Sequence, residues 1–189
     1  PLSVLGKAKN GMTLVVDRFA AYLTLAKRAG YRLQYCWSHI LNNSKGLAKN
    51  FGGEGRYIHR KLKEIYRFAK DLQHQASDEE VEQLKGMVIE LTWRHYRHIT
   101  LRRFIDRLAY RDMEHLFRFT QDPTIDPTNN ISERELRTLV IIRKISNGSR
   151  SPRGANATAL LLSVIQTQRM KTQNLLQGLL DLINPVSEC

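Results

Sequence analysis

The sequence predicts a mostly helical α/β chain, a small piece with two parallel strands followed by a long helical tail. Three observations carry this. A strand, helix, strand pattern fills the first 36 residues, helical spacing dominates from Trp37 onward, and 189 residues suffice to bury a core. No internal repeat or low-complexity tract interrupts the chain.

Residues 12–16, Met12-Thr13-Leu14-Val15-Val16, are apolar and β-branched after Asn10-Gly11, and read as a buried strand ending at Asp17. From Phe19 to Ala29 the apolar residues Phe19, Tyr22, Leu23 and Ala26 share one helical face, and Gly30 ends that helix. Residues 31–36 alternate like a second strand. The crossover rule makes the two strands parallel neighbours. Helices are expected over about 37–50, 56–75, 78–97 and 99–120, with breaks at Gly52-Gly53 and Ala76-Ser77-Asp78, where Ser77 and Glu80 form a capping box. Residues 121–128 hold Pro123 and Pro127 and read as a loop. Three further helices are expected near 129–145, 155–170 and 172–183, with Arg150-Ser151-Pro152-Arg153-Gly154 as a basic turn between the first two. The chain opens Pro1-Leu2-Ser3 without an initiator Met and meets a strand almost at once, so further sequence is expected upstream.

Thirty Lys and Arg stand against eighteen Asp and Glu, a net charge of +12 that favours a polyanionic partner. Ribosomal, RNA-modifying and membrane-surface proteins share such basicity, so its distribution says more. Residues 1–50 carry eight bases and one acid, Asp17, and residues 129–189 eight bases and four acids, whereas 51–128 is nearly balanced with fourteen bases and thirteen acids. The balanced middle reads as a solvated helical surface with neighbouring opposite charges. Two cysteines imply no disulfide framework and fit a reducing cytoplasm, and no apolar run spans a bilayer, so a soluble cytoplasmic protein is expected.

Asp17 is the only acid in fifty residues and stands at the carboxyl end of a strand, where open α/β sheets present functional groups. It could equally cap the helix that follows. The densest polar constellation is 128–137, Thr128-Asn129-Asn130-Ile131-Ser132-Glu133-Arg134-Glu135-Leu136-Arg137, at a helix start. Its acids would also suit the helix dipole, and Glu133 could pair with Arg137. Arg143, Lys144, Arg150 and Arg153, set among small residues, read as a flexible basic loop for phosphate contacts. Cys36-x-x-His39 has a zinc-compatible spacing, but no second such pair stands out, so Cys36 and Trp37 are expected in the core and His39 near the edge of the site. Arg102, Arg103, Arg107 and Arg111 recur at helical spacing and read first as a solvated face, second as a lining of a DNA path.

Val16-Asp17-Arg18-Phe19-Ala20-Ala21-Tyr22, Cys36-Trp37-Ser38-His39, the 129–137 block, Arg143-Lys144 and Gly154-Ala155 together resemble the transposases of insertion-sequence family sixty-six, in order and spacing as well as in residues. The resemblance covers about residues 12–50 and 100–184. It implies an RNase H-like catalytic domain in which two Asp and one Glu hold Mg²⁺ or Mn²⁺, with Asp17 as the second Asp and Glu133 as the Glu. Residues 1–50 would then be the second half of the sheet with its helices, 51–128 a helical insertion, and 129–189 the Glu-bearing helix, basic loop and C-terminal helices. DNA, as transposon ends and target, is the implied partner, contacted by Asn129, Asn130, Arg134, Arg137, Arg143, Lys144, Arg150 and Arg153, with a homo-oligomer in the DNA complex. The first Asp has no counterpart here, so the chain alone is expected to be inactive. Two positions depart from the pattern: Arg18-Phe19 stands for Gly-Tyr, which is expected to add charge beside the metal site, and Thr128 stands for an Asp. A basic nucleic-acid-binding protein without catalysis is the alternative.

Overall fold

The computed structural model describes residues 11–72, 74–145, 148, 151–171 and 174–183. The chain divides into two compact units, residues 1–129 and 130–189.

In the first unit, β1 (Thr13–Val16) and β2 (Arg32–Tyr35) pair in parallel, Thr13 opposite Arg32 and Val16 opposite Tyr35. Between them runs α1 (Ala20–Ala29), ended by Gly30 at φ 78°, whose N–H returns to the Ala26 carbonyl. Only glycine adopts that left-handed turn without a steric penalty. Then come α2 (Trp37–Asn50), α3 (Gly52–Asp71), α4 (Asp78–Glu90) and α5 (Ile99–Asp106). The expected break at Gly52-Gly53 is a single residue, Phe51. Gly52 at φ 59° turns the chain directly into α3, and Gly55 lets that helix approach α2 so closely that a Cβ there would collide with the Leu47 carbonyl. The Ser77–Glu80 capping box forms as expected.

Strands and helices share one core. Leu33, Tyr35, Trp37 and Ile40 pack with Ile58, Leu62 and Ile65 of α3 and with Leu84, Leu101, Leu108 and Phe119. Ile58, Leu62, Ile65 and Ala69 recur at the spacing that puts them on one face of α3.

The expected 56–75 helix lies four residues earlier, at Gly52–Asp71, and two others end early. The 78–97 helix stops at Glu90 and continues as a 3₁₀ turn, Leu91–Trp93, into an extended loop. The buried Tyr96 hydroxyl donates to the Leu91 carbonyl at 2.9 Å, and the Arg97 N–H lies 3.3 Å from both oxygens of Glu54, so this loop has tertiary partners that replace a helical ladder. The 99–120 helix gives way at Arg107 to a π-helical turn, Arg107–Asp112, and then to short 3₁₀ turns. Here the backbone serves Gln34 of β2. Its buried amide donates to the carbonyls of Tyr35 and Leu116, both at 2.9 Å, and accepts from the Phe119 N–H at 3.2 Å, while the Trp37 indole also donates to the Leu116 carbonyl at 2.8 Å. A buried amide left unpaired would cost about 1–3 kcal/mol, which favours the irregular path over continued helix.

Burial pushes the Tyr96 hydroxyl up to about 12, and burial raises Tyr35 and Tyr66 as well. A tyrosine whose folded pKa lies above its unfolded value, about 10, contributes stability that is complete below that value and is lost as pH rises through the folded pKa. Denaturant unfolding is therefore expected to show falling stability from about pH 10 towards 12, with a shallower fall in Tyr96→Phe; an identical slope in the variant would rule the contribution out.

The second unit comprises α6 (Asn130–Ile145), α7 (Pro152–Lys171) and α8 (Leu175–Ile183). The Gly148 N–H returns to the Arg143 carbonyl at 2.8 Å with φ 88°, closing α6. The expected basic loop is shorter than the sequence implies. Ser151 Oγ accepts from the Gly154 N–H at 3.1 Å, and Pro152 occupies the first helical position, where its missing N–H costs nothing, so Pro152, Arg153 and Gly154 are helical. Arg143 and Lys144 likewise lie in the last turn of α6.

Candidate active-site cleft

β1 ends at Val16, and the half-buried Asp17 leaves the strand at its carboxyl edge. The side chain accepts from the Phe19 N–H at 3.1 Å, a local turn that precedes α1 by one residue. Asp17 does not cap the helix: the N-cap position is Phe19, which has no side-chain cap bond.

Asp17 opens onto a cleft of about 800 Å³. The facing wall is α2, whose His39, Asn42, Asn43, Gly46 and Asn50 recur at i, i+3, i+4, i+7 and i+11 and so form one polar stripe, opposite the buried Trp37, Ile40 and Ser44. Thr100, Arg103 and Arg107 close the other side. His39 stands at the edge of the site as expected, and Cys36 and Trp37 are fully buried. The amide stripe had no place in the expectations, although its spacing is readable in the sequence. Arg103 and Arg107, read first as a solvated face, line one wall of the cleft.

Arg18 lines the cleft next to Asp17, and its charge is paired within the protein: Nε meets Asp112 Oδ2 at 2.7 Å with side-chain exposures of 8% and 3%, and its guanidinium lies 5.2 Å from the Phe104 ring centre. Burial draws the Arg18 pKa down, against the attraction of Asp112. Arg107 joins them: its Nε is 3.3 Å from the same Asp112 oxygen, and its Nη2 donates to the Arg18 carbonyl at 2.9 Å. The π turn explains the reach, because i→i+5 bonding stacks residues five apart, as Arg107 and Asp112 are. The strand exit beside Asp17 is thereby tied to residues 107–112, and the added charge is balanced by a buried acid.

A second link brings the end of this unit to the sheet edge. Cys36 N–H donates to the Val16 carbonyl at 2.8 Å, Trp37 N–H to the Pro127 carbonyl at 2.9 Å, and Asn129 N–H reaches Cys36 Sγ at 3.4 Å. The proline loop therefore delivers Asn129 to the carboxyl end of β2, next to the strand that carries Asp17. Glu133 lies exposed in the first turn of α6, and Asn130, Arg134, Arg137, Arg143, Lys144 and Arg153 are exposed on the helices of the second unit. Arg150 lies outside the described residues. Among the described residues no three His, Cys, Asp or Glu side chains group to hold a metal, and no helix is long and apolar enough to cross a membrane.

The family model for the IS66 family of transposases matches residues 1–157. The chain belongs to the IS66 transposase family. This IS66-family chain is also similar to a Sinorhizobium fredii protein named "Uncharacterized protein y4jD", at 25% identity over 182 residues, which is 85% of this chain and 35% of that protein. It thus spans about a third of the length of that relative. No solved structure matches it.

Proposed function

We propose that this chain is the part of an IS66-family transposase that carries an Asp and the Glu of a divalent-metal site for DNA cleavage and strand transfer. Asp17 at the exit of a parallel strand, open to a cleft walled by amides and arginines, is the observation that carries the reading. Support for Glu133 as its partner comes from the family resemblance, in which the 129–137 block carries the Glu. The strand, helix, parallel-strand order is also what an RNase H-like frame requires, with 51–128 as a helical insertion in it.

The donor set fits Mg²⁺ or Mn²⁺ in kind. Asp17 and the side-chain oxygens of Asn42, Asn43 and Asn50 are hard ligands lining one cleft. One carboxylate does not make a two-ion site. In this reading Glu133 and a further carboxylate of the full-length protein complete it, and the 189-residue chain alone is inactive. Asp17 and Glu133 would hold divalent ions, which would supply Lewis-acid activation of a water or DNA 3′-OH and stabilisation of the leaving oxygen. Asp17 contributes a carboxylate held in orientation by the Phe19 N–H, and Arg103 and Arg107 offer cationic contacts to the phosphates on the opposite wall. The DNA worked on is cytoplasmic, and Asn129, Asn130, Arg134, Arg137, Arg143, Lys144, Arg150 and Arg153 contact it.

Crystals of the full-length protein soaked in Mn²⁺ test the site directly. Anomalous density shared by the Asp17 and Glu133 carboxylates is the expected result. If the two lie more than about 12 Å apart, beyond what a pair of ions with ligands at roughly 2 Å can bridge, the catalytic reading fails.

A further inference from the structure

The charge balance of residues 51–128 conceals a partial segregation. α4 opens with four acids, Asp78, Glu79, Glu80 and Glu82, while Arg56, Arg60, Lys63, Arg67 and Lys70 follow one another on a single face of α3 at alternating intervals of four and three, with Glu64 and Asp71 as the two acids beside them, paired with Arg60 and Arg67. At the N-terminal end of that stripe lies a cavity of about 730 Å³ whose walls include Arg56, Arg60, Arg94 and Arg97.

This pocket is built rather than incidental. Arg94 lies over the Tyr57 ring at 4.5 Å and Arg60 over the same ring at 5.8 Å, which holds two guanidinium groups against one aromatic ring. The loop bearing Arg94 and Arg97 is fixed by the buried Tyr96 and by the Arg97 N–H on Glu54. Glu54 is the one acid lining the pocket, and its carboxylate is engaged by that backbone N–H. Among the described residues Arg56, Arg94 and Arg97 have no ion pair with a carboxylate, so their charge is available to a ligand. The positive end of the α3 dipole adds to it.

The pocket adjoins the Asp17 cleft. Asn50 and Thr100 line the cleft, Phe51 and His98 line the pocket, and the Phe51 and His98 rings, 4.9 Å apart, form the ridge between them. From the pocket the stripe continues along α3 to Lys70. The span from Arg56 to Lys70 is about 21 Å, equal to the axial length of about six base pairs. A free nucleotide would need only a fraction of that length.

We propose that the Arg56, Arg60, Arg94 and Arg97 pocket and the α3 stripe form a track for the DNA backbone, which carries duplex flanking the reacting phosphate across the Phe51–His98 ridge. This rests on the reading of Asp17 as the reactive end of the cleft. The arginines bind phosphate oxygens without reading sequence, which positions the duplex and makes binding depend on salt.

The test is the binding of a labelled 20-base-pair duplex of arbitrary sequence to the 189-residue chain, followed by anisotropy over a series of KCl concentrations. Arg94 and Arg97 are exposed, so their replacement leaves the core intact. Arg94→Ala with Arg97→Ala is expected to reduce the slope of log K against log salt by about two, and Arg94→Lys with Arg97→Lys to restore most of it. An unchanged slope in the double alanine variant, or no duplex binding by the parent chain, overturns the track. So does displacement of the duplex by inorganic phosphate at matched ionic strength, which would mark a free-anion site, or a clear preference for an RNA duplex. The outcome separates from that of the catalytic reading. Loss of the slope with no Mn²⁺ shared by Asp17 and Glu133 leaves a DNA track without that chemistry, and the reverse pair of results leaves the chemistry without the track.

Discussion

Asp17→Asn in the full-length transposase is expected to lower strand transfer by about 10⁴-fold while leaving the fold intact. The substitution separates the two roles the structure allows this residue. Asparagine keeps the oxygen that accepts from the Phe19 N–H, now at 3.1 Å, so the turn into α1 survives. It removes the negative charge, which a divalent cation requires and a turn does not. A purely local role would be worth only about 1 kcal/mol even if lost entirely. The measurement is strand transfer of labelled DNA ends in Mg²⁺, with thermal unfolding as the control. Activity within about tenfold of the parent would mean that Asp17 serves as a turn residue only, and a basic nucleic-acid-binding protein would become the better account.

The largest expected effect on stability belongs to Arg18→Met. Arg18 and Asp112 are an almost fully buried pair, at side-chain exposures of 8% and 3%, and removing one partner leaves the other charge in a medium that solvates it poorly. Arg107 is close enough to Asp112 to compensate in part, at 3.3 Å, but it is half-exposed and set by the π turn. Denaturant unfolding of Arg18→Met is expected to show a loss of about 3–5 kcal/mol. The double variant Arg18→Met with Asp112→Leu should recover most of that loss, because two apolar side chains need no solvation. If the single variant unfolds within about 0.5 kcal/mol of the parent, the pair holds nothing together and the link from strand exit to residues 107–112 has no energetic meaning.

Much of the fold was legible because it rests on local signals. The apolar, β-branched run before Asp17 became β1, the Gly30 stop and the Ser77–Glu80 box fell where the spacing put them, and the parallel pairing followed from handedness alone. Asp17 was legible too, since a lone acid at the end of a buried strand is conspicuous. The amide stripe of α2 had the same helical periodicity as any apolar face, but polar residues at that spacing ordinarily mark solvent, and only the opposite wall of a cleft gives them a use.

Other features had no local signature. The ends of the 78–97 and 99–120 helices were set by Gln34, Trp37 and Glu54, side chains distant in sequence, together with the nearby buried Tyr96, all of which bond backbone groups a helix would otherwise use. Arg18 looked like added charge beside the site because the sequence does not show that Asp112, 94 residues away, lies next to it. The balance of fourteen bases and thirteen acids in the middle of the chain likewise hid the excess of bases on one face of α3. What the sequence determined by itself was the order of elements and the family, since each depends on neighbours within about one helical turn or one strand. Which charges are buried in pairs and which stand open to a polyanion was decided only by tertiary structure, because electrostatic energy depends on distance and solvent exposure, and neither is a property of position along the chain.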